Sequence, residues 1–310
     1  MDIGSVLGTF STRFLGIFIE AVSFLLLGTL ISGLIAVFVN NDDIARLMPH
    51  NPIAATLVGS MLGFIFPVCE CGVVPVTRRL YQKGLPVSVG ITFLLAAPVM
   101  NPIVLASTYA AFGWGPVLIG RYVISWIMAV TIGLLFSLQN RPQRMITPQA
   151  LATISGGSGE AVSSPAIRIS RTPLLPGLKQ AIKVAGEEFY EMGRYLIIGA
   201  FLAAVMQTLI PQEALKALAT NPVNSVLVMA ALAFVLSVCS TVDAFLALSF
   251  ARAFTPGSIL TFLTFGPMVD IKSTMMYMGV FKRRIVFYMV ILPLLISVLI
   301  GIWLNLNVRF

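Results

Sequence analysis

Residues 67–79 read PVCECGVVPVTRR and set two thiols and a carboxylate, Cys69, Glu70 and Cys71, side by side in a long apolar run. A carboxylate among aliphatic side chains is costly to bury and by default marks a functional position. Thiolates are soft ligands, suited to copper(I), zinc or trivalent arsenic-type centres. On an ideal helix Cys-x-Cys puts its thiols about 200° apart. They converge on one ion only where the helix is unwound, and Pro67, Gly72 and Pro75 are the residues expected to break it. Cys239, in SVCSTVDAF (237–245), offers a third thiol from a distant segment. Cys69, Cys71 and Cys239 are thus the expected metal or soft-solute ligands. Buried free cysteine also serves as an inert hydrophobe, and that reading stands beside the first. His50, the one histidine, reads as a solvated loop residue.

A second group lies in LLAAPVMNPIV (94–104) and TFGPMVDIKST (264–274). Each carries proline, methionine and an amide or carboxylate in mid-run: Pro98, Met100 and Asn101 with Pro102, and Pro267, Met268 and Asp270. Interrupted helices at corresponding places in two halves point to a transporter's site, lined here by freed carbonyls, Asn101 and Asp270. The plainer alternative makes the prolines kinks and Asn101 a helix cap. Lys272 is expected to pair with Asp270. Asp243, four residues past Cys239, is expected on the same helix face. Glu70, Asp243 and Asp270 are the candidates for proton coupling. Arg121 and Arg194 read as snorkelling from helix starts.

The elements that must hold these groups are membrane helices. Hydrophobic residues make up 58% of the 310-residue chain and charged residues 10%, too little polar surface for a water-soluble particle of this size. Apolar runs near 14–39, 52–76, 86–111, 115–138, 192–210, 223–250, 258–280 and 285–306 each approach the ~20 residues that a bilayer core requires. The fold expected is all-α and polytopic, with about eight transmembrane helices. The first run exceeds the ~7–15 residues of a signal h-region and reads as a membrane helix. The net charge of +8 is carried by residues between the runs, where it sets topology, so nucleic acid is not an expected partner.

The run NPIAATLVGSMLGFIFPVC (51–69) returns at 221–239 as NPVNSVLVMAALAFVLSVC, keeping Asn-Pro at its start and Cys at its end. In similar register, Glu20 and Gly28 match Glu191 and Gly199, and Pro98 matches Pro267. Two homologous four-helix halves are therefore expected, 1–138 and 181–310, joined by a flexible linker at 139–180 that contains SGGSGEAVSSP (155–165). KQAIKVAGEEFYEMGR (179–194) reads as an amphipathic interfacial helix. Eight simple spans put Arg78, Arg79, Lys83 and the linker inside but leave Lys282, Arg283 and Arg284 outside, against the positive-inside rule. A re-entrant segment would change the parity and turn parallel repeats into inverted ones.

PVCECGVVPVT (67–77) and APVMNP (97–102), with SVCSTVDAF and FGPMVD (265–270), make the chain resemble the YraQ-like predicted permeases, relatives of organoarsenical efflux permeases. The resemblance covers nearly the whole chain. It implies export of a soft, thiol-reactive solute, with the Cys-x-Cys-Gly element on Cys69, Cys71 and Gly72 and the Pro-x-x-Asn-Pro element on Pro98, Asn101 and Pro102. The expected protein is a multi-pass secondary transporter of a bacterial inner membrane and not an enzyme. Its partners are membrane lipids and a small solute or ion, and no cofactor is expected. No Gly-x-x-x-x-Gly-Lys-Ser/Thr motif is present to bind a nucleotide. The rivals are a thiol–disulfide redox protein working through Cys69 and Cys71, and a membrane anchor that transports nothing.

Overall fold

The structure, a computed structural model, describes residues 3–49, 51–66, 68–138, 145–147, 174–209, 221–251 and 253–307. Pro67, His50 and most of the expected linker lie outside the described residues. The regular elements are helices: α1 (Ile3–Phe38), α2 (Asn41–Leu47), α3 (Pro52–Ile65), α4 (Glu70–Gln82), α5 (Val87–Met100), α6 (Pro102–Phe112) and α7 (Pro116–Ser137), then α8 (Leu174–Leu209), α9 (Pro222–Leu236), α10 (Asp243–Phe250), α11 (Pro256–Met268), α12 (Ile271–Val280) and α13 (Arg283–Asn307). Among the described residues, five stretches are long and apolar enough to cross a bilayer: α1, α5 with α6, α7, α8 and α13. Their outer faces carry exposed leucines and aromatics, such as Leu26, Leu30 and Leu34 on α1 and Leu295, Leu299 and Trp303 on α13. Apolar stripes of that extent belong against lipid, and the molecule is a multi-pass membrane protein.

Local chemistry starts the helices. Asn51 and Asn101 each precede a proline at the first helical position, and each side chain accepts a hydrogen bond from the second backbone N–H beyond it, at 3.1 Å from Ile53 and 2.9 Å from Ile103. Proline has no N–H to leave orphaned there, and asparagine satisfies one of the donors that remain. Asp270 does the same for α12, accepting from Ser273 N at 2.5 Å, while Ser273 Oγ accepts from Asp270 N at 2.9 Å.

Four of the expected spans are broken. Run 52–76 divides into α3 and α4, run 86–111 divides at Asn101, run 223–250 divides across 237–242, and run 258–280 divides at Val269–Asp270. Pro98 and Pro267 sit in the last turns of α5 and α11, just ahead of their breaks, where each removes a donor to the carbonyl four residues back. Gly72 and Pro75 do not break the chain, because α4 runs through both. Gly72 is needed for packing instead: a Cβ on Gly28 of α1 would collide with its backbone, so the two helices touch main chain to main chain. The expected interfacial helix at 179–194 is the first half of α8, which begins at Leu174, within the expected linker. Ala181, Ala185, Glu188, Met192 and Leu196 make a buried stripe along it, so it packs rather than floats.

Helix directions follow from residue pairs. Phe10 meets Phe201 at 5.4 Å between ring centroids, whereas Phe38 lies beside Gly177, so α1 and α8 are antiparallel. A Cβ on Gly59 would lie 2.8 Å from Val89 O and one on Gly63 2.7 Å from Ala97 Cα, so α3 runs parallel to α5. Ser258 Oγ donates to Ser225 Oγ at 2.8 Å, near the starts of α11 and α9, and those helices meet again toward their C-terminal ends at Gly266 and Ala233, so they run parallel.

Candidate functional site

The breaks gather in the interior. Cys69 precedes α4 on extended backbone (φ −79°, ψ 179°), and its carbonyl takes the first bonds of that helix from Gly72 N and Val73 N, at 3.1 and 3.0 Å. Ser237 ends α9 in the left-handed region (φ 47°), a conformation costing a non-glycine residue roughly 1–2 kcal/mol, and turns the chain toward Cys239. Through these two turns the thiols of Cys69 and Cys239 and a carboxylate oxygen of Glu70 come within 4.8 Å of one another, all three side chains buried. Cys71 is buried one position into α4 and lies outside that group. Cys69 thus meets a thiol from a distant segment, Cys239, while the Cys71 thiol also lies within hydrogen-bonding reach of Cys69. All three cysteines are free thiols.

Charge is concentrated beside the thiols. Lys272 Nζ lies 3.2 Å from Glu70 Oε1, 3.4 Å from Ser237 O and 3.8 Å from Asp270 Oδ2, with all three ionisable residues 2% exposed or less. The expected Asp270–Lys272 pair is present, but the nearer carboxylate is Glu70, 202 residues away in sequence. Glu70 Oε2 and Asp270 Oδ2 are buried without a hydrogen-bond partner. A carboxylate oxygen left bare at this depth is costly unless a ligand or a moving cation meets it. Asn101 is taken up in capping α6, and its carbonyl accepts a bond from Tyr122 Oη at 3.2 Å.

Asp243 is the first residue of α10, one hydrogen-bonded turn past Cys239, its backbone N–H donating to Cys239 O at 3.1 Å. Its carboxylate is held at two points by Arg121, Nη1 to Oδ1 at 3.0 Å and Nη2 to Oδ2 at 2.7 Å. Arg121 does not snorkel. It is wholly buried within α7 and also donates to Thr108 Oγ1 at 2.9 Å, tying together α6, α7 and α10. Arg194 is exposed on α8, 5.0 Å from the ring centroid of Tyr195.

Sequence reading missed a further cluster. Arg78 and Arg79 are not loop residues but belong to buried α4, and they pair with α8, Arg78 with Glu191 at 2.6 Å and Arg79 with Glu188 at 3.5 Å. Ser32 of α1 donates to Glu188 from the other side. The available signal was the acidic pair EE at 187–188, followed by Glu191, on the amphipathic segment 179–194.

A family model described as a predicted permease matches residues 6–306. Among curated proteins, the UPF0718 protein YcgR of Bacillus subtilis is 43% identical over 293 residues, which is 93% of this chain and 95% of that protein. A Streptococcus mutans protein is 38% identical over 88% of this chain and 87% of its own length, and its name proposes it as a subunit of a two-component membrane permease complex. The UPF0718 protein YraQ of Escherichia coli is 27% identical over 41% of this chain and 36% of its own length. No solved structure matches the chain at a significant level. With a match from residue 6 to residue 306 and relatives this similar along nearly their full length, the chain belongs to the predicted permease family that includes these UPF0718 proteins.

Proposed function

We propose that this permease exports a soft, thiol-reactive solute, a trivalent arsenical or a soft metal ion, across a bacterial inner membrane, through a site formed by Cys69, Cys239 and Glu70. The observation that carries the reading is the meeting of two thiols and a carboxylate within 4.8 Å at the ends of broken helices. Two sulfurs and one oxygen suit a three-coordinate soft centre, and unwound backbone inside a membrane protein belongs where it lines a solute path. Glu70 and Asp270, each with a bare oxygen, are our candidates for proton coupling, whereas the Arg121 contact leaves Asp243 a structural part. Efflux indifferent to an imposed pH gradient would remove the coupling.

The halves are read as inverted. In this reading α1, α5–α6 and α7 cross in the first half and α8, α11–α12 and α13 in the second, while α3–α4 and α9–α10 are hairpins that enter and return on opposite sides. The parallel packing of α3 on α5 and of α9 on α11 supports it, as does the approach of α4 and α12 to the same end of the molecule at Tyr81 and Phe281 (ring centroids 5.8 Å apart). Inverted halves with broken helices at a central site are a recurrent transporter design.

The test is accumulation and growth of a metal-sensitised bacterium expressing wild type, Cys69→Ser, Cys239→Ser or Cys71→Ser. The panel holds trivalent methylated arsenic, arsenite, copper, zinc and an unrelated toxic anion. Wild type should lower the accumulation of one soft species, Cys69→Ser and Cys239→Ser should each abolish the effect, and Cys71→Ser should retain most of it. If all four strains behave alike across the panel, the thiol site is refuted.

A further inference from the structure

The turn that brings Cys239 to Cys69 runs against local preference. α9 ends at Leu236, and the next residue takes a left-handed backbone, φ 47° and ψ 44°. Glycine is the usual residue in that position, because it has no Cβ to oppose the conformation. This chain has Ser237 there. Its hydroxyl donates to Phe234 O at 3.3 Å, a bond that a serine inside a helix also makes and that does not select the left hand. Left to itself, Ser237 would fall back into the right-handed region and α9 would wind on toward Cys239. Each added helical residue turns the chain by about 100°, which carries the Cys239 thiol away from Cys69.

Two side chains from other helices hold the turn. Gln207, in the last turn of α8, donates from Nε2 to Leu236 O at 2.6 Å. Lys272 of α12 donates to the next carbonyl, Ser237 O, at 3.4 Å. A peptide unit is rigid, so the direction of Leu236 O sets φ of Ser237 and the direction of Ser237 O sets its ψ. The bond from Gln207 is the firmer of the two, since it is short and Lys272 lies nearer to Glu70 than to Ser237. Gln207 is itself anchored: Arg13 of α1 donates to its backbone carbonyl, one of the last of α8, which has no donor within the helix.

We propose that Gln207 is a positioning residue of the cargo site: its amide holds Ser237 in the left-handed conformation, and that turn delivers the Cys239 thiol to Cys69. This rests on the reading of Cys69, Cys239 and Glu70 as the cargo site. Gln207 acts through the Leu236–Ser237 peptide plane and not on the cargo. A Gln207 present only to tie α8 to α9 makes a different forecast, because its loss would lower stability and leave the thiols where they are.

The experiment titrates the purified full-length protein in detergent micelles with Cd(II) and reads the ultraviolet charge-transfer absorption of cadmium–thiolate bonds, with thermal unfolding as the check on folding. A thiol proton leaves to water as each cadmium–sulfur bond forms, so the band reports the thiolates bound. The variants are Cys239→Ser, Gln207→Met and Gln207→Leu, with each Gln207 variant made again on Ser237→Gly. Methionine and leucine keep the bulk of glutamine and cannot donate. Both Gln207 variants should lose the same share of the band as Cys239→Ser and bind Cd(II) as weakly as it does. Glycine takes the left-handed conformation freely, so Ser237→Gly should restore most of the lost band and of the lost affinity. A folded Gln207 variant with the wild-type band overturns the proposal, and so does a loss that Ser237→Gly leaves in place. If neither Gln207 variant folds, Gln207 serves the fold as a whole and the proposal is overturned as well. Equal bands from wild type, Cys69→Ser and Cys239→Ser instead overturn the thiol site itself, and that outcome is distinct from the others.

Discussion

Arg121 and Asp243 make a pair that neither residue could sustain alone. Both are almost wholly removed from solvent, and the carboxylate receives two parallel bonds from the guanidinium. Removing one partner of such a buried pair leaves an uncompensated charge, at a cost of about 3–5 kcal/mol. Replacing both with apolar residues of similar size leaves no charge behind and costs far less. Arg121→Met should therefore unfold at a markedly lower temperature than wild type, and Arg121→Met with Asp243→Leu should recover most of the difference in the same thermal melt. A double variant no more stable than the single one would show that Asp243 is not the partner that matters. Asp243 and Arg121 were both visible in the sequence as charges within apolar runs, yet their pairing was not, because 122 residues separate them and helical spacing relates only neighbours three or four apart. The same holds for Lys272 with Glu70 and for Arg78 with Glu191. Sequence chemistry identified the unusual residues, and only tertiary packing assigned their partners.

At the level of elements, the runs long enough to cross a membrane and the places where they weaken were legible, because hydropathy and proline act locally. The breaks themselves were legible only to within a turn. Pro98 and Pro267 lie just before theirs, whereas Gly72 and Pro75 lie within an intact helix. A glycine in a membrane helix can mark a break or a close contact, and composition does not distinguish the two. Gly28 and Gly199, matched to each other in the sequence, are contacts: Gly28 sets α1 against α4 at Gly72, and Gly199 sets α8 against α12 at Lys272. Alanine at either would force backbone away from backbone beside the candidate site, with overpacking of about 1–3 kcal/mol. Gly193 lies on α8 in open space, where alanine meets nothing within 4 Å and improves helix propensity by up to about 1 kcal/mol. Gly199→Ala should lower thermal stability and cargo binding while Gly193→Ala leaves binding unchanged and stability equal or higher. Equal behaviour of the two would remove the claim that α8 positions α12.

The whole molecule reconciles charges that eight simple spans set on opposite sides. Phe281, next to Lys282, stacks edge-on against Tyr81, two residues before Lys83. The described piece of the linker joins the same place, Lys282 N donating to Met145 O at 3.0 Å and Thr147 N to Val280 O at 2.9 Å. Lys83, residues 145–147 of the linker and the basic run Lys282–Arg284 therefore occupy one end of the molecule. The positive-inside rule assigns that end to the cytoplasm. The loop at Gly113–Gly115 and the segment before α11 fall at the other end, where Gly120 of α7 packs on Leu260 of α11 and Asn305 Oδ1 accepts from Gly257 N at 2.9 Å. In the proposed arrangement α9–α10 enters and leaves on the outer side, where α10 packs on α6, the outer half of its broken span, through Arg121 and Thr108. Fusion of a reporter that is active only in the cytoplasm should give signal after Lys83, in the linker and after Lys282, and none after Gly113, Asn221 or Ala253. The sites Asn221 and Ala253 bracket α9–α10, so they separate the two arrangements. Opposite signals would make α9–α10 a full crossing and the halves parallel; silence at both makes it a hairpin and the halves inverted.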